Sequence, residues 1–338
     1  MRLTALAGGV GAARFLRGLR HHLQATGRAA EVTVIGNTGD DLRLHGLQVC
    51  PDLDTVMYTL GDGIHEEQGW GRRQETFTLA EEFAAYGMGP DWFTLGDRDL
   101  ATHVVRSRLL AEGLPLSEVT ERLCQRWRPG VRLLPMTDAQ VETRVELDSP
   151  EGGTRTVHFQ EWWVRLHARV PARRFVLEGV EHAAPAPGVL DAIAGADVIL
   201  LPPSNPVVSI GTILSVPGVR GALRTTAAPV VGISPIVGGA PVRGMADACL
   251  TTIGLPTTAA AVAGLYADFL DGWLVDTADR DEVDTEGFLG RLRPDSAPRR
   301  VRARHRPLLM TDVPATAAIA AEALDLAAQL GTSSPTDR

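Results

Sequence analysis

A glycine-rich turn, "GGVG", lies between a strand-like run and a helix-like run near the beginning of the sequence. Glycine permits a positive φ and a close backbone approach, and the first turn of a helix offers free N–H groups to an anion. The pattern departs from a dinucleotide-binding fingerprint, because Arg14 replaces the third glycine and Asn37 replaces the expected acidic residue. A phosphate-binding turn is favoured over a purely structural tight turn. The residues predicted to bind phosphate are Gly8, Gly9, Val10 and Gly11.

Acidic side chains cluster after the second predicted strand. The loop "NTGDD" and the following segment "CPDLDTVMYTL" lie where open α/β sheets place their binding sites, beyond the carboxyl end of a strand. Carboxylates in such a place can hold a hard cation or contact substrate hydroxyls. The alternatives are an Asx-type turn for the first cluster and a helix N-cap for Asp54. Two clusters so close in sequence favour a metal-assisted site, with Asp40, Asp41 and Asp54 as predicted metal ligands.

Three later segments carry groups that suit a nucleotide. In "LGDRDLATHVVR", Arg98 and Arg106 either clamp a diphosphate or carboxylate, or belong to an ion-pair network at a helix start. The loops "SNPVVSIGTIL" and "SPIVGGAPVRG" place hydroxyls and free amides after two further strands. Together with the glycine turn, these loops predict a nucleotide cradle at one edge of a sheet. Its predicted members beyond the turn are Asn37, Ser204, Asn205, Ser209, Gly238 and Gly239.

The elements that must position these residues are alternating strands and helices. Two strand-like runs flank a helix from about Ala12 to Leu23, and three later apolar runs are continuous, as in strands buried on both faces of a parallel sheet. We therefore predict an α/β fold with a Rossmann-like, mostly parallel sheet, helices on both faces and an inserted α+β subdomain. The predicted boundaries are residues 1–60 and 183–330 for the core, 61–182 for the insertion and 331–338 for a disordered tail.

The predicted insertion contains helices and antiparallel strands. Leu100–Ala111 and Ser117–Trp127 have the apolar spacing of amphipathic helices. Four short segments, "VRLLPM", "VETRVEL", "RTVHFQ" and "EWWVRL", are interpreted as strands, with "DSPEGG" as a hairpin turn.

Composition and charge exclude several classes of protein. A net charge of −8 argues against broad binding to nucleic acid or anionic membranes, which requires a basic surface. Crossing a bilayer requires a continuous apolar run of about 18 residues, and the sequence has no run of this length. No signal peptide is evident either, so we expect a cytoplasmic protein. The sequence contains no lysine, which excludes Schiff-base chemistry and a phosphate-binding lysine.

The order of the motifs is similar to that of a known family. The segments "GGVGAARFLRGL", "NTGDD", "CPDLDTVMYTL", "DWFTLGDRDLATHVVR", "PSNPVVSIGTIL" and "SPIVGGAPVRGMAD" follow one another along nearly the whole chain. They resemble the phospholactate transferase family of deazaflavin coenzyme biosynthesis, and its actinobacterial branch in particular. The resemblance implies a Mg²⁺-dependent, dimeric transferase. Its substrates would be a guanosine diphosphate-linked donor of phosphoenolpyruvate or phospholactate and the riboflavin-like deazaflavin Fo, with GMP released.

The resemblance also implies roles for individual residues. Asp54, or alternatively Asp41, would orient the ribityl hydroxyl of Fo that attacks phosphorus, and the cradle would hold the nucleotide. The identity of the three-carbon acid stays open, because the candidates differ by only a few atoms. For the tryptophans, core packing is the alternative. The residues implied to contact Fo are Asp54, Thr55, Trp92, Thr94 and Arg98.

Two rival classes differ from this transferase. A regulatory branch of the same superfamily binds nucleotide sugars without known turnover. The segments "PDLDTVMYTL" and "LGDRDLATH" favour the transferase, because they lie where the acceptor should bind. A nicotinamide- or flavin-dependent oxidoreductase is disfavoured by Arg14 and Asn37, which break the dinucleotide fingerprint.

Overall fold

The computed structural model describes residues 1–283 and 301–332 of the chain. Its strands are β1 (Arg2–Ala7), β2 (Glu31–Gly36), β3 (Leu42–Leu44), β4 (Leu47–Val49), β5 (Arg132–Pro135), β6 (Glu142–Asp148), β7 (Thr154–His158), β8 (Ala172–Glu178), β9 (Val198–Leu201), β10 (Val230–Ile233), β11 (Ile236–Val237), β12 (Ala240–Pro241), β13 (Gly272–Val275) and β14 (Arg302–His305).

The α-helices of the same residues are α1 (Gly9–Ala25), α2 (Pro51–Leu60), α3 (Thr78–Ala85), α4 (Asp97–Ala111), α5 (Leu116–Trp127), α6 (Val189–Ala194), α7 (Gly211–Ser215), α8 (Val219–Thr225), α9 (Ala246–Thr252), α10 (Ala259–Gly264), α11 (Arg280–Val283) and α12 (Val313–Thr332). Short helical turns of other types cover Glu161–Arg165, Val180–His182, Pro206–Ile210 and Thr277–Asp279.

A seven-stranded sheet lies at the centre, in the order β14-β13-β10-β9-β1-β2-β5. Every neighbouring pair in it is parallel. The central strands β9, β10 and β13 are buried along their whole length, as their continuous apolar sequences require. The chain proceeds from β1 to β2 on one side and later adds β9 on the other. The order therefore reverses between β1 and β9, and a crevice is expected at this point.

Helices cover both faces of the sheet. The first face packs against α1, α2, α5 and α12, and the second against α6, α7, α8 and α10. Among the described residues, α12 is the single unbroken helix long and apolar enough to cross a membrane. Half of it is buried, and it packs on α1 and the sheet. This is the environment of a core helix.

The predicted α/β fold is confirmed, and an antiparallel sheet in the order β7-β6-β8 lies within the predicted insertion. Two elements assigned to that insertion belong to the core instead. β5 pairs in parallel with β2, and α5 packs in the same apolar cluster as α1. The physical reason is that the apolar face of β5 completes the central sheet, a long-range pairing that the local pattern does not reveal.

The segment "EWWVRL" forms a helical turn, so its assignment as a strand was wrong. In a strand the two adjacent tryptophans would point to opposite faces. The helical turn lets Trp162 and Trp163 both pack on Phe159, with ring centres 5.9 and 5.7 Å away. Of the predicted tail, 331 and 332 continue α12, and 333–338 lie outside the described residues.

Candidate active site

A cavity of about 760 Å³ opens at the carboxyl ends of the parallel strands. The glycine turn after β1 and the loop after β9 both line it, which places the cavity at the reversal of strand order. Its volume falls in the range of small-molecule and cofactor sites. The remaining wall comes from α2, the segment between α2 and α4, and the loops after β7, β10 and β12.

The glycine turn is fixed by its contact with the loop after β9. The Gly8 N–H donates to Ser204 Oγ at 3.3 Å, and the Ser204 hydroxyl donates back to the Gly8 carbonyl at 3.0 Å. A Cβ on Gly8 would lie 2.4 Å from the Cβ of Ser209, and one on Gly11 would lie 2.2 Å from the Pro203 carbonyl oxygen. Close packing of the two loops therefore requires glycine at both positions. The start of α1, which has no acidic residue in its first turn, lines the cavity beside them.

Asp40 and Asp52 bring two buried carboxylates to one wall of the cavity. Burial raises the pKa of Asp40 well above its ordinary value, and the charges of Asp52 and Asp41 raise it further. Burial also raises the pKa of Asp52 to about 6, although hydrogen bonds from Asn37 and the Gly9 N–H oppose this shift. Asp40 Oδ1 has no hydrogen-bond partner in the described part of the chain. These carboxylates lie close together without a compensating positive charge.

Asn37 positions Asp52 rather than lining the cavity. Its Nδ2 donates to Asp52 Oδ2 at 2.9 Å, and its Oδ1 accepts the Gly39 N–H at 3.0 Å. The side chain is fully buried between these partners. Asn37 therefore contacts an acidic cavity residue, and its direct contact with a nucleotide stays a prediction.

Asp54 has a different environment, because it forms a buried ion pair with Arg106. Arg106 Nη1 donates to Asp54 Oδ2 at 3.0 Å, and Nη2 makes a shorter bond to Oδ1. Burial lowers the pKa of Arg106, but the charge of Asp54 raises it above its ordinary value. Asp54 lies in the first turn of α2, whose N-cap is Cys50, so the N-cap alternative for Asp54 is wrong.

A chain of polar contacts continues from this ion pair along α4. His103 Nδ1 lies 3.2 Å from Arg106 Nη1, and His103 Nε2 lies 3.5 Å from Asp99 Oδ2. The Tyr58 hydroxyl donates to Asp99 Oδ1 at 2.6 Å. Although burial raises the pKa of Asp99, its contacts with His103 and Tyr58 lower it overall. Each carboxylate on this wall therefore has partners that stabilise its charged form.

Aromatic and apolar side chains form a further part of the cavity wall. Trp92 and Phe93, whose rings meet edge to face at 5.9 Å, line the cavity together with Trp70 and Phe77. Trp70 is 53% exposed and Phe77 is 45% exposed, so neither serves as a core residue. Trp163 reaches the cavity from the helical turn after β7. Such a wall suits a flat aromatic ligand.

Most of the predicted site residues line this cavity. They are Gly8, Gly9, Val10, Gly11, Asp40, Asp54, Thr55, Trp92, Thr94, Ser204, Asn205 and Ser209. The structure does not bring Asn37, Asp41, Arg98, Gly238 or Gly239 to its surface.

Each of the absent residues has a local physical reason. The N–H groups of Gly238 and Gly239 donate to Asp279 at 2.9 and 2.7 Å, so they are already used. Arg98 is exposed at the start of α4. Asp41 is buried, and its Oδ1 has no hydrogen-bond partner among the described residues.

Several cavity residues were missing from the predicted site. Asp52 has a recognisable signal, since Pro51 is favoured in the first turn of a helix and its position places both Asp52 and Asp54 in that turn. Others depend on contacts between distant parts of the chain. They include Arg14, Tyr58, Asp99, His103, Trp163 and Arg243.

The predicted trio of Asp40, Asp41 and Asp54 does not form a metal-binding cluster. Within residues 1–283 and 301–332, no three His, Cys, Asp or Glu side chains are arranged to hold a metal ion. Asp40 and Asp52 nevertheless fit Mg²⁺, which commonly takes one or two protein carboxylates together with substrate phosphates. Asp40 Oδ1 and Asp41 Oδ1 both have no hydrogen-bond partner among the described residues, but of these two residues only Asp40 lines the cavity, where its free oxygen fits a cation.

Residues 3–295 match the family model described as 2-phospho-L-lactate transferase CofD. The chain belongs to this family. The phosphoenolpyruvate transferase of Thermobifida fusca is 61% identical over 335 residues, covering 98% of this chain and 99% of the relative. The phosphoenolpyruvate transferase of Mycolicibacterium smegmatis is 52% identical over 338 residues, covering 97% and 99%. The family assignment made from the motif order is thus confirmed, and with it the transferase class.

A solved structure supports the fold of this family member. A member of the UPF0052 family from Bacillus halodurans superposes with a TM-score of 0.59 and 17% sequence identity. The match covers 96% of this chain and 99% of that chain. At this identity the likeness establishes the shared α/β architecture alone.

Proposed function

We propose that this protein transfers the phosphoenolpyruvate moiety, or the related 2-phospholactate moiety, from a guanosine diphosphate-linked donor to Fo, releasing GMP. The observation that carries the proposal is a single cavity joining a phosphate-type turn to an aromatic wall, in a chain of this family. The name shared by the close relatives favours phosphoenolpyruvate as the transferred moiety. A dimeric assembly and a cytoplasmic location stay predictions.

The donor would occupy the side of the cavity formed by the glycine turn. The first N–H groups of α1 favour an anion through their free donors and through the helix dipole. Ser204, Asn205 and Ser209 line the adjoining surface. Because Gly8 and Gly11 are packed tightly against this loop, a diphosphate would meet a preformed surface.

The acceptor would occupy the side of the cavity formed by the aromatic wall. The flat ring of Fo would pack on the half-exposed aromatic wall, and its ribityl chain would extend towards α2. Asp54 and Thr55 line the cavity at the start of α2. With both oxygens held by Arg106, Asp54 has a fixed orientation and can accept a hydrogen bond from the terminal hydroxyl of the acceptor.

The transfer itself exchanges one bond to phosphorus for another. The hydroxyl oxygen of the acceptor forms a bond to the outer phosphorus, which carries the three-carbon acid. The bond between that phosphorus and the bridging oxygen breaks, and its electron pair leaves with GMP. The hydroxyl proton passes to a neighbouring carboxylate, for which we propose Asp54. In such a reaction the protein mainly positions the reactants and stabilises charge.

We propose Asp40 and Asp52 as the residues that hold Mg²⁺. When bound, the ion would neutralise diphosphate charge during transfer. No positive charge of the described residues lowers the pKa of either carboxylate, while Asp54 already has Arg106. Of the three metal ligands predicted from the sequence, this proposal keeps Asp40 and replaces Asp41 and Asp54 with Asp52.

The deciding experiment is mass spectrometry of the products formed from Fo, Mg²⁺ and each candidate guanylyl donor. We expect GMP and a phosphodiester of Fo to appear in equal amounts with the enolpyruvyl donor. Binding of both substrates without product would favour the regulatory class. Binding of Fo can be followed through the fluorescence of Fo. If Fo does not bind, the proposed acceptor is wrong.

A further inference from the structure

Three arginines lie at three-residue intervals along α1, and two of them have structural partners. Arg17 Nη1 lies 2.7 Å from Glu66 Oε1. Arg20 Nη1 donates to the carbonyls of Leu60 and Pro129 at 2.5 and 2.8 Å. Arg14 lines the cavity and has no hydrogen bond or ion pair to any described residue. Its charge is therefore available to a ligand.

A second arginine, Arg243, lies near Arg14 at the cavity wall. Arg243 lies in the loop after β12, and burial lowers its pKa, with the nearby charge of Arg14 lowering it further. Its Nη2 donates to the Gln68 carbonyl, and its guanidinium carbon lies 4.9 Å from the centre of the Trp70 ring. In the described part of the chain, neither arginine forms an ion pair with a carboxylate. Two like charges are thus held together without a counter-ion.

The arginine pair lies at the border between the two sides of the cavity. A Cβ on Gly69 would lie 2.7 Å from Val10 Cγ1 and 3.2 Å from Arg243 Nη1, so the segment carrying Trp70 packs directly on the glycine turn. Arg243 therefore contacts the aromatic wall at Trp70 and lies beside Gly69, which packs on Val10 of the phosphate-type turn. The reacting phosphorus must lie at this border, because the donor comes from one side and the acceptor hydroxyl from the other.

We propose that Arg14 and Arg243 clamp the outer phosphoryl group of the donor, the group that is transferred. This role rests on the proposed function and makes the two arginines the residues that recognise the outer phosphate. Guanidinium groups bind phosphoryl oxygens through paired, charge-assisted hydrogen bonds. The N–H groups of α1 would remain for the inner phosphate, which leaves with GMP. In a chain without lysine, this pair supplies the positive charge that the outer phosphate needs.

The test compares binding of GDP, which carries an outer phosphate, with binding of GMP, which lacks it. Calorimetry would be performed with wild type, Arg14→Gln and Arg243→Gln. Loss of a charged hydrogen bond predicts at least about tenfold weaker GDP binding in each variant, with GMP binding unchanged. Arg28→Gln is the matched control, because Arg28 is exposed just beyond α1 and away from this cavity. It should bind both nucleotides like wild type.

Other outcomes separate the clamp from the proposed function. Wild-type affinity for GDP in both variants would overturn the clamp and leave the transferase proposal intact. Equal losses for GDP and GMP would also overturn it, because the arginines would then hold the inner phosphate. If wild type itself binds neither nucleotide, the guanylyl donor is wrong and the clamp fails with it. Retained melting temperatures and a partial recovery of GDP affinity in Arg243→Lys would distinguish binding loss from misfolding.

Discussion

The two acidic walls of the cavity differ in how their charge is balanced. Asp54 and Asp99 lie within a network in which Arg106 and Tyr58 donate hydrogen bonds, and His103 Nε2 lies 3.5 Å from Asp99 Oδ2. Asp40 and Asp52 are equally buried, yet their pKa values are raised and one oxygen has no partner in the described residues. The protein completes the first wall by itself and leaves the second wall unfavourable until a ligand binds.

This difference indicates which groups are preorganised and which are reserved for a ligand. A carboxylate already paired with a buried guanidinium keeps its charge and geometry, which suits the orientation of a substrate hydroxyl. A pair of uncompensated carboxylates lowers stability and gains most from a cation. The comparison can be tested by neutralising a carboxylate of one wall at a time.

Neutralising Asp54 should have the largest effect. In Asp54→Asn, buried Arg106 loses its charged partner, so we expect a loss of about 3–5 kcal/mol in the free energy of unfolding. Product formation should fall by at least about a hundredfold, because the amide cannot accept the hydroxyl proton. Denaturant unfolding and single-turnover rates measure the two effects. Glu66→Gln, which breaks the exposed pair with Arg17, should change stability by less than about 1 kcal/mol. An unchanged melting temperature in Asp54→Asn would contradict the ion pair.

Magnesium should stabilise the protein in a pH-dependent manner. The pKa values of Asp40 and Asp52 are raised on folding, so the metal-free protein takes up protons on folding and loses stability as pH rises from about 4 through 6 and above. Saturating Mg²⁺ should restore about 2–3 kcal/mol at pH 8 and much less at pH 5, where protons compete for the carboxylates. Melting curves with Mg²⁺, and with sodium at equal ionic strength, measure this. An equal magnesium shift at both pH values would exclude these ligands.

Neutralising Asp52 should have the smallest effect on stability, and one of opposite sign. Asp52→Asn removes the charge that raises the Asp40 pKa, but the amide oxygen can accept only one of the two hydrogen bonds that the carboxylate receives, from the Gly9 N–H and from Asn37 Nδ2. Removal of the buried charge should outweigh the lost hydrogen bond. We expect the metal-free variant to be more stable by about 1 kcal/mol at pH 8. The magnesium-induced shift and product formation should both be lost. A destabilised Asp52→Asn variant would show that the Asp52 charge is balanced by the protein, as the Asp54 charge is, and would contradict the comparison.

Much of the fold could be predicted from local patterns. β1, α1 and β2 follow from a continuous apolar run, an amphipathic run and a glycine turn that are adjacent in sequence. The place of β5 could not be predicted in this way, because its parallel pairing with β2 joins strands separated by about 100 residues and by the four helices α2 to α5. β14 was likewise hidden within an arginine-rich segment, where Arg304 and Arg306 pair with Glu322 of α12.

The candidate site was predictable by residue type but not by role. Carboxylates after β2 were expected to bind metal, and two of them, Asp40 and Asp54, line the cavity. The sequence does not reveal that Arg106, 52 positions away, neutralises Asp54 and leaves Asp52 uncompensated. Charge balance depends on such distant pairings.

The segment that carries the aromatic wall has an evolutionary consequence. α3 contains no buried residue, and Trp70 and Phe77 are about half exposed, so substitutions there disturb little of the core. The glycine turn has no such freedom, because any side chain on Gly8 or Gly11 meets a neighbouring loop within 2.4 Å. If the proposed function holds, we expect acceptor preference to diverge among descendants, or to change when residues 65–95 are grafted, while the donor site tolerates little change.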